Sequence, residues 1–473
     1  MSARRKVVLY NPRAVFWTMP LGLIAVGSAL DPAEYDVKII DGRLEQDPIK
    51  SVLAELDGAT CLGMGVLTGA PIRDALNVSR AVKAAYPRLP IIWGGWHPSQ
   101  FPADCLAEPS VDATVSGQGE EAFAEVVQRL SDHSNLDGIS GVTWRDKSGQ
   151  IIENPARPTK DLNIFPPLNY DLIDVEAYFA HKGKRQFDYI SSVGCRFRCA
   201  FCADPFVYKR AWFGLTDERI ANELLMHWKR HQFVEVTFQD DTFFTRRERV
   251  EDICNKFLSV GLKTAWTGTM RADQGFRLPD ETLDLCRRAG LTRVMVGVEA
   301  GTDEMLKHIK KDITIAQVFN TAEKLVRHDI GGIWNFIVGF PDEPDESFEA
   351  TLRIAKQIRA MSPRFQAAVF YYKPYPGNEL ADQLKAKGYP FPATLEEWAE
   401  FDYVGSAGPW VTPEKHRRVE HFKFYQKYAF GDQRHPIGRL LQPLARWRVQ
   451  RDFYSFPIER KVIERLHPGP QLS

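Results

Sequence analysis

Apolar positions in the first third of the chain fall into short runs separated by amphipathic stretches. The runs predict strands over 6–10, 35–41, 60–67, 89–94 and 113–115. Between them, three-and-four spacing predicts helices over 20–30, 48–56, 72–86 and 120–130. Strand–helix alternation at this spacing predicts a parallel, doubly wound, Rossmann-like α/β sheet. Its ligand crevice should lie at the carboxyl ends of the strands.

The pattern changes near residue 138. Gly141-Val142-Thr143-Trp144, a turn over 146–149 and Gln150-Ile151-Ile152 read as a hairpin. Pro155, Pro158, Pro166 and Pro167 then mark a linker. A second alternation starts near Asp188. Strands are expected over 188–193, 234–239, 263–267, 293–298, 333–338 and 365–371. Helices are expected over 216–230, 246–260, 279–289, 303–310, 314–328 and 345–361. Six such units predict a partial (β/α)6 barrel, whose chemistry would sit at the C-terminal strand ends. The organisation expected is thus a Rossmann-like domain over 1–137, hairpin and linker over 138–185, a partial barrel over 186–392, and a mostly helical, aromatic and basic region over 393–473.

Composition adds limits. The chain has 473 residues, 44% hydrophobic and 26% charged, which is ordinary for globular domains. Basic and acidic side chains number 61 each, so no global charge draws it to nucleic acid. The apolar run at 7–10 stops at Asn11-Pro12, too short for a signal core or a membrane span. A cytoplasmic protein is expected.

The seven cysteines are unevenly spread. Cys61, Cys105, Cys254 and Cys286 are scattered and read as buried small apolar residues. Cys195, Cys199 and Cys202 form a C-x3-C-x2-C cluster just after a predicted strand. Three close thiolates suit one face of a [4Fe–4S] cubane. Such a cluster normally takes four cysteines, so three leave one iron open. A structural zinc site would want a fourth Cys or His nearby, and the next histidines, His227 and His231, fall inside a predicted helix.

These residues resemble the radical S-adenosylmethionine (SAM) superfamily, whose motif has an aromatic before the last cysteine, here Phe201. The resemblance implies that the open iron binds SAM and that reductive cleavage yields a 5′-deoxyadenosyl radical. It implies further SAM contacts. An acidic residue of the Asp240–Asp241 pair would meet the methionine amino group, and Arg271 the carboxylate. Glu299 would meet the ribose, and the backbone at Val338 would border the adenine. Singly each is weak, since acidic residues at strand ends are commonly helix caps. Their order along the chain, roughly 188 to 377, carries the resemblance.

The N-terminal domain resembles cobalamin-binding domains in part. Those carry D-x-H-x-x-G, then S-x-L, then Gly-Gly. Here Gly65-Val66-Leu67 stands at S-x-L, Gly94-Gly95 follows 26 residues later, and Gly117 and Gly119 lie ahead of the last helix. A nucleotide tail crossing strand ends needs such close backbone approach. The segment 18–23 lacks the expected histidine, and none occurs before His97. The anaerobic porphyrin-cyclase-like group shares this departure, which implies cobalamin held without a histidine ligand. The alternative is an empty scaffold domain. No G-x-G-x-x-G follows the first strand, which argues against a dinucleotide. His97 reads as a surface or core residue, or as a neighbour of the corrin or substrate.

Tyr389, Phe391, Trp398, Phe401, Tyr403 and Trp410 are read either as a cap over the barrel mouth or as a helical subdomain. The basic, apolar stretch 439–466 is expected to dock on the barrel, with Pro443 and Pro457 breaking it and membrane contact as the alternative. The implied activity is methyl transfer to an unactivated carbon of a small molecule, an apolar one where the aromatics act as a cap. Flavodoxin or ferredoxin would serve as reductant. Oxidative cyclisation or ring rearrangement is the second reading, and a non-enzymatic corrinoid carrier a further one. tRNA methylthiolation is disfavoured, since it would want three further cysteines in the N-terminal region and only Cys61 and Cys105 are there.

Overall fold

Val7, Val8, Leu9 and Tyr10 are fully buried because their strand, Arg5–Asn11, is covered on both faces. It pairs in parallel with Tyr35–Asp41 on one side and Ala59–Gly65 on the other. Ile91–Gly94 and Ala113–Val115 extend the sheet in parallel. The hairpin Val142–Arg145 and Ile151–Glu153 then adds two antiparallel strands at that edge. The strand order reverses between the first and third strands. At such a switch point the loops diverge to opposite faces and leave a crevice. The computed structural model describes residues 4–401, 407–431 and 436–466.

Two short helices, Trp96–Gln100 and Pro102–Ala107, were not anticipated. Pro102 opens the second of them, where its missing N–H costs nothing.

By internal packing the chain separates into two units, one of Met1–Arg196, Cys202–Gln239 and Pro376–Tyr403, the other of Phe197–Phe201, Asp240–Tyr375 and Val404–Ser473. The first unit holds the seven-stranded sheet and a parallel pair, Gln186–Tyr189 with Glu235–Phe238. The helix Asp217–His231 belongs to it, capped by the Thr216 hydroxyl, which accepts from Arg219 N. The strand expected over 188–193 is two pieces. Its second piece, Ser192–Gly194, runs antiparallel to Trp212–Gly214. Gly194 makes the crossing feasible: its φ is +79°, and a Cβ there would lie 2.3 Å from the Ala211 carbonyl oxygen.

The second unit holds four parallel strands, in the order Phe365–Tyr371, Gly331–Val338, Leu291–Glu299 and Ala265–Arg271. Helix Arg247–Val260 precedes the first of them in sequence, and Asp280–Arg288, Ile315–Arg327 and Asp345–Met361 connect them. Thr314 and Gln317 form a reciprocal capping box at the third of these.

The C-terminal region is helical, as expected. Trp398 packs in the first unit with His97 and Phe101, and its helix Leu395–Ala399 joins the core of the N-terminal sheet. Trp410 belongs to the second unit, where its indole N–H donates to Gly339 O. Tyr403 lies outside the described residues. Pro443 does not break the chain's helix, which runs unbroken over Pro436–Arg451. Proline removes one N–H, and packing on the buried face outweighs that loss. No helix among the described residues is long and apolar enough to cross a membrane.

Candidate functional site

Burial divides the seven cysteines as the spacing implied. Cys61, Cys105, Cys254 and Cys286 are buried thiols, and burial lifts Cys61 to about 12. Burial raises Cys105 as well, the Cys254 hydrogen bond and burial raise Cys286, and thiols shifted this way stay protonated. Cys195, Cys199 and Cys202 are partly exposed. Among the described residues no three Cys, His, Asp or Glu side chains converge as one metal ion requires. On a cubane each thiolate meets its own iron, so convergence on a point is not needed.

In the first unit, Cys195 follows the Gly194 turn. Asp204 opens a short helix after Cys202, and desolvation raises its carboxyl to about 6 while a hydrogen bond from Cys202 pulls it down.

In the second unit, Cys199 joins a network of buried charges. Arg271 ends the strand Ala265–Arg271 and is buried. Its Nη1 donates to Cys199 Sγ at 3.5 Å, its Nε to Asp273 Oδ1 at 2.9 Å, and its Nη2 to Lys311 O. The guanidinium sits 3.8 Å from the Phe197 ring centroid. Lys311 Nζ donates to Glu299 Oε1 at 2.7 Å, and both side chains are buried. Gly297 leaves space for this pair, since a Cβ there would meet Glu299 Oε1 at 2.4 Å and Lys311 Nζ at 2.8 Å. Glu299 itself has φ +75°, at a register shift between the strands Leu291–Glu299 and Gly331–Val338. A non-glycine residue held there stores local strain, a frequent mark of functional positions.

The Asp pair is split in environment. Asp240 is buried and its carbonyl accepts from Thr269 Oγ1 at 2.7 Å, whereas Asp241 is exposed. Next to them, Gln274 Nε2 donates to Thr242 Oγ1 at 3.0 Å, and Gln274 Oε1 accepts from Arg271 N at 2.9 Å. The backbone after Asp241 is thereby tied to the Arg271 segment. Val338 is buried and its carbonyl accepts from Tyr372 N at 2.9 Å. Phe201 meets Phe340 edge to face at 6.0 Å, and Phe340 stacks on Tyr372. Within this unit Cys199, Arg271 and Glu299 therefore share one chain of contacts through Lys311. Lys311, Phe197, Gln274 and Thr242 were missed in the sequence, where nothing about their spacing distinguishes them.

In the N-terminal sheet, Val66 N donates to Gly94 O at 2.8 Å and His97 N to Val66 O at 3.2 Å. Leu67 is exposed beyond the end of its strand. The two central glycines have different reasons to be glycine. Gly95 has φ +97° and ψ −164°, and a Cβ would lie 3.1 Å from Val66 N and O. Gly94 lacks both constraints: its nearest neighbour to a Cβ would be Val115 O at 3.6 Å. The local fold thus requires Gly95 and tolerates a side chain at Gly94. Gly117 has φ +74° and its N–H donates to Ser99 Oγ at 2.8 Å, while Gly119 passes close to Val26.

The loop lacking the axial histidine is fixed by other means. Met19 N donates to Asp188 Oδ2 at 2.8 Å, and Arg43 Nη2 to Thr18 O at 2.8 Å. Arg43 and Asp41 form a buried pair joined by Tyr178 OH. His97 is a core histidine. It is fully buried among Phe101 and Trp398, its Nδ1 lies 3.2 Å from Thr68 Oγ1, and burial lowers its pKa to about 4.

A family model for the radical SAM superfamily matches residues 189–355, and one for the B12-binding domain matches residues 13–127. An uncharacterized methyltransferase of Pyrococcus horikoshii is 31% identical over 81% of this chain and 82% of its own length. The chain belongs to the cobalamin-binding radical SAM family. An anaerobic magnesium-protoporphyrin IX monomethyl ester cyclase of Synechocystis is 27% identical over 71% of this chain and 67% of its own. The fold matches the radical SAM methyltransferase TsrM of Kitasatospora setae with TM-score 0.72 and 14% identity, covering 92% of this chain and 90% of that one. It also matches the cobalamin-dependent enzyme OxsB with TM-score 0.67 and 20% identity; the chain covers 82% of its own length and 56% of OxsB. This chain is therefore a cobalamin-binding radical SAM enzyme, and its cofactors are a [4Fe–4S] cluster, SAM and cobalamin.

Proposed function

We propose that this family member methylates an unactivated carbon of a small molecule, with Cys195, Cys199 and Cys202 holding the cluster. The observation that carries the site is the Arg271 contact to Cys199 Sγ within a network that also orients Glu299. When bound, the cofactors supply SAM cleavage to a carbon radical and a methyl group carried on cobalamin. The protein's own part is orientation and electrostatics. Arg271 holds positive charge beside one thiolate, and its clamp by Asp273, Phe197 and Lys311 O keeps it from swinging away. Glu299, already oriented by Lys311, offers its carboxylate to the ribose hydroxyls. The Asp240–Asp241 pair serves the ammonium of SAM, and Val338, Phe201 and Phe340 border the adenine. In the N-terminal domain, Leu67, Gly94, Gly95, Gly117 and Gly119 line the path of the cobalamin tail, with no imidazole on the metal.

Product analysis tests this reading. Anaerobically reconstituted protein with SAM, cobalamin and a low-potential reductant should form both S-adenosylhomocysteine and 5′-deoxyadenosine when given its substrate. Formation of 5′-deoxyadenosine alone would instead favour oxidative cyclisation, the activity named for the Synechocystis relative. Electron paramagnetic resonance of the cob(II)alamin form should lack nitrogen superhyperfine splitting from an axial base.

A further inference from the structure

The helix Pro436–Arg451 buries one face and presents the other. Gly438, Leu441, Ala445 and Val449 are buried. Gln442 Nε2 donates to Gly431 O and Arg446 Nε to Ala429 O, each at 2.9 Å, which ties this helix to the end of Pro413–Ala429. Beside it runs a second stripe, Ile437, Leu440, Leu444 and Trp447, with the three-and-four spacing of a single helix face. All four are exposed, Leu440 by 87%. Of the twenty large hydrophobic side chains exposed among the described residues, eight fall between positions 437 and 462. Scattered exposed leucines are ordinary, but a concentration of this kind marks an interaction surface.

Charge indicates what meets it. The helix carries four arginines and no acidic residue. Between 436 and 463 there are six basic side chains and two acidic ones in a chain whose net charge is zero. Both acids are occupied: Asp452 pairs with Lys356 at 2.7 Å and Glu459 with Arg448. The helix thus presents an apolar stripe with a tryptophan among its members, and Arg439, Arg446 and Arg451 are exposed on the same helix while Arg448 is buried against Glu459. A phospholipid surface is the complement, apolar below and anionic above. A second copy is a poorer complement, since it would set like positive charge against itself.

We propose that the exposed face of Pro436–Arg451 docks the enzyme, parallel to the plane, onto an anionic phospholipid surface. The helix lies on the bilayer and does not span it.

Flotation of the full-length protein with vesicles tests this. Vesicles of phosphatidylcholine and phosphatidylglycerol, about two to one, should carry the protein upward, and pure phosphatidylcholine should carry far less. Added salt should weaken the association, because the arginines contribute through screened charge. Replacing Leu440 and Leu444 together by Glu should lower partitioning about 100-fold, roughly ten-fold for each buried leucine lost. Iron content and far-UV circular dichroism should not change. Leu258→Glu, an exposed leucine on another helix of the same unit, should leave partitioning unaltered. The proposal is overturned if mixed vesicles do not bind, or if Leu258→Glu weakens binding as much as the double variant. It is equally overturned if the double variant abolishes concentration-dependent dimerisation and the wild type ignores vesicles, for the face would then be a protein interface.

Discussion

Replacing Gly94 and Gly95 one at a time separates a glycine kept for a ligand from one kept for the fold. At Gly95 the backbone lies at φ +97°, ψ −164°, a region almost confined to glycine. Alanine there costs about 1–3 kcal/mol of backbone strain. Its Cβ would also sit 3.1 Å from Val66 N and O, atoms already engaged with Gly94 O and His97 N. At Gly94 a Cβ meets nothing closer than 3.6 Å. Gly94→Ala should then be neutral or stabilising by about 0.4–1 kcal/mol, because it restricts the unfolded chain. Thermal melts of cobalamin-free protein should show Gly95→Ala lower by about 2–10 °C and Gly94→Ala unchanged or slightly higher. Loading is measured by the corrin absorbance of protein desalted after reconstitution. Gly94→Leu should hold at least about ten-fold less cobalamin at unchanged melting temperature, a loss of about 1.4 kcal/mol of binding. The iron–sulfur absorbance should be unaffected. Wild-type cobalamin loading by a folded Gly94→Leu protein would refute the reasoning. So would Gly94→Ala destabilising as much as Gly95→Ala, since Gly94 would then be explained by the fold.

Four further outcomes are expected. Alanine at Cys195, Cys199 or Cys202 should remove the cluster's visible absorption, whereas Cys61→Ala, Cys105→Ala, Cys254→Ala and Cys286→Ala should keep about four irons per chain. Arg271→Leu should retain iron but lower the cluster's midpoint potential by about 50–100 mV in a redox titration, because a cation and a hydrogen bond that favour the reduced, more negative cluster are lost; an unchanged potential would mean that the contact to Cys199 has no electrostatic effect. Glu299→Gln should weaken SAM binding about ten-fold in calorimetry with iron content unchanged, the scale of one charge-assisted hydrogen bond. His97, held neutral by burial with a pKa near 4, should make the fold acid-labile. Below about pH 6.5 the unfolded chain takes up a proton that the folded one refuses, so stability falls until about pH 4, by up to about 3 kcal/mol. Wild-type melting temperatures should therefore decline more steeply than those of His97→Phe between pH 7 and 4.5.

Much of this protein was legible from local order. Burial of both sheet faces forces continuous apolar runs such as Val7–Tyr10, so strand and helix positions could be read within a few residues. The three cysteines could be read because ligands of one cluster must lie close, and here they lie close along the chain. Signals failed where a residue's role depends on something distant. Pro443 looks like a breaker, and only packing on the buried face shows that the helix runs through it.

The same division runs through the site. The sequence by itself determined the parallel α/β architecture, the cysteine motif and the missing histidine, because each is written in spacing or in residue type. Tertiary structure alone decided that Arg271 leans on Cys199 and that Lys311 orients Glu299. These partners are 72 and 12 positions apart, and no periodicity links them. It also decided which glycine of the pair the fold demands. A backbone angle and the distance to Val66 set that requirement, and neither exists until the strands have paired.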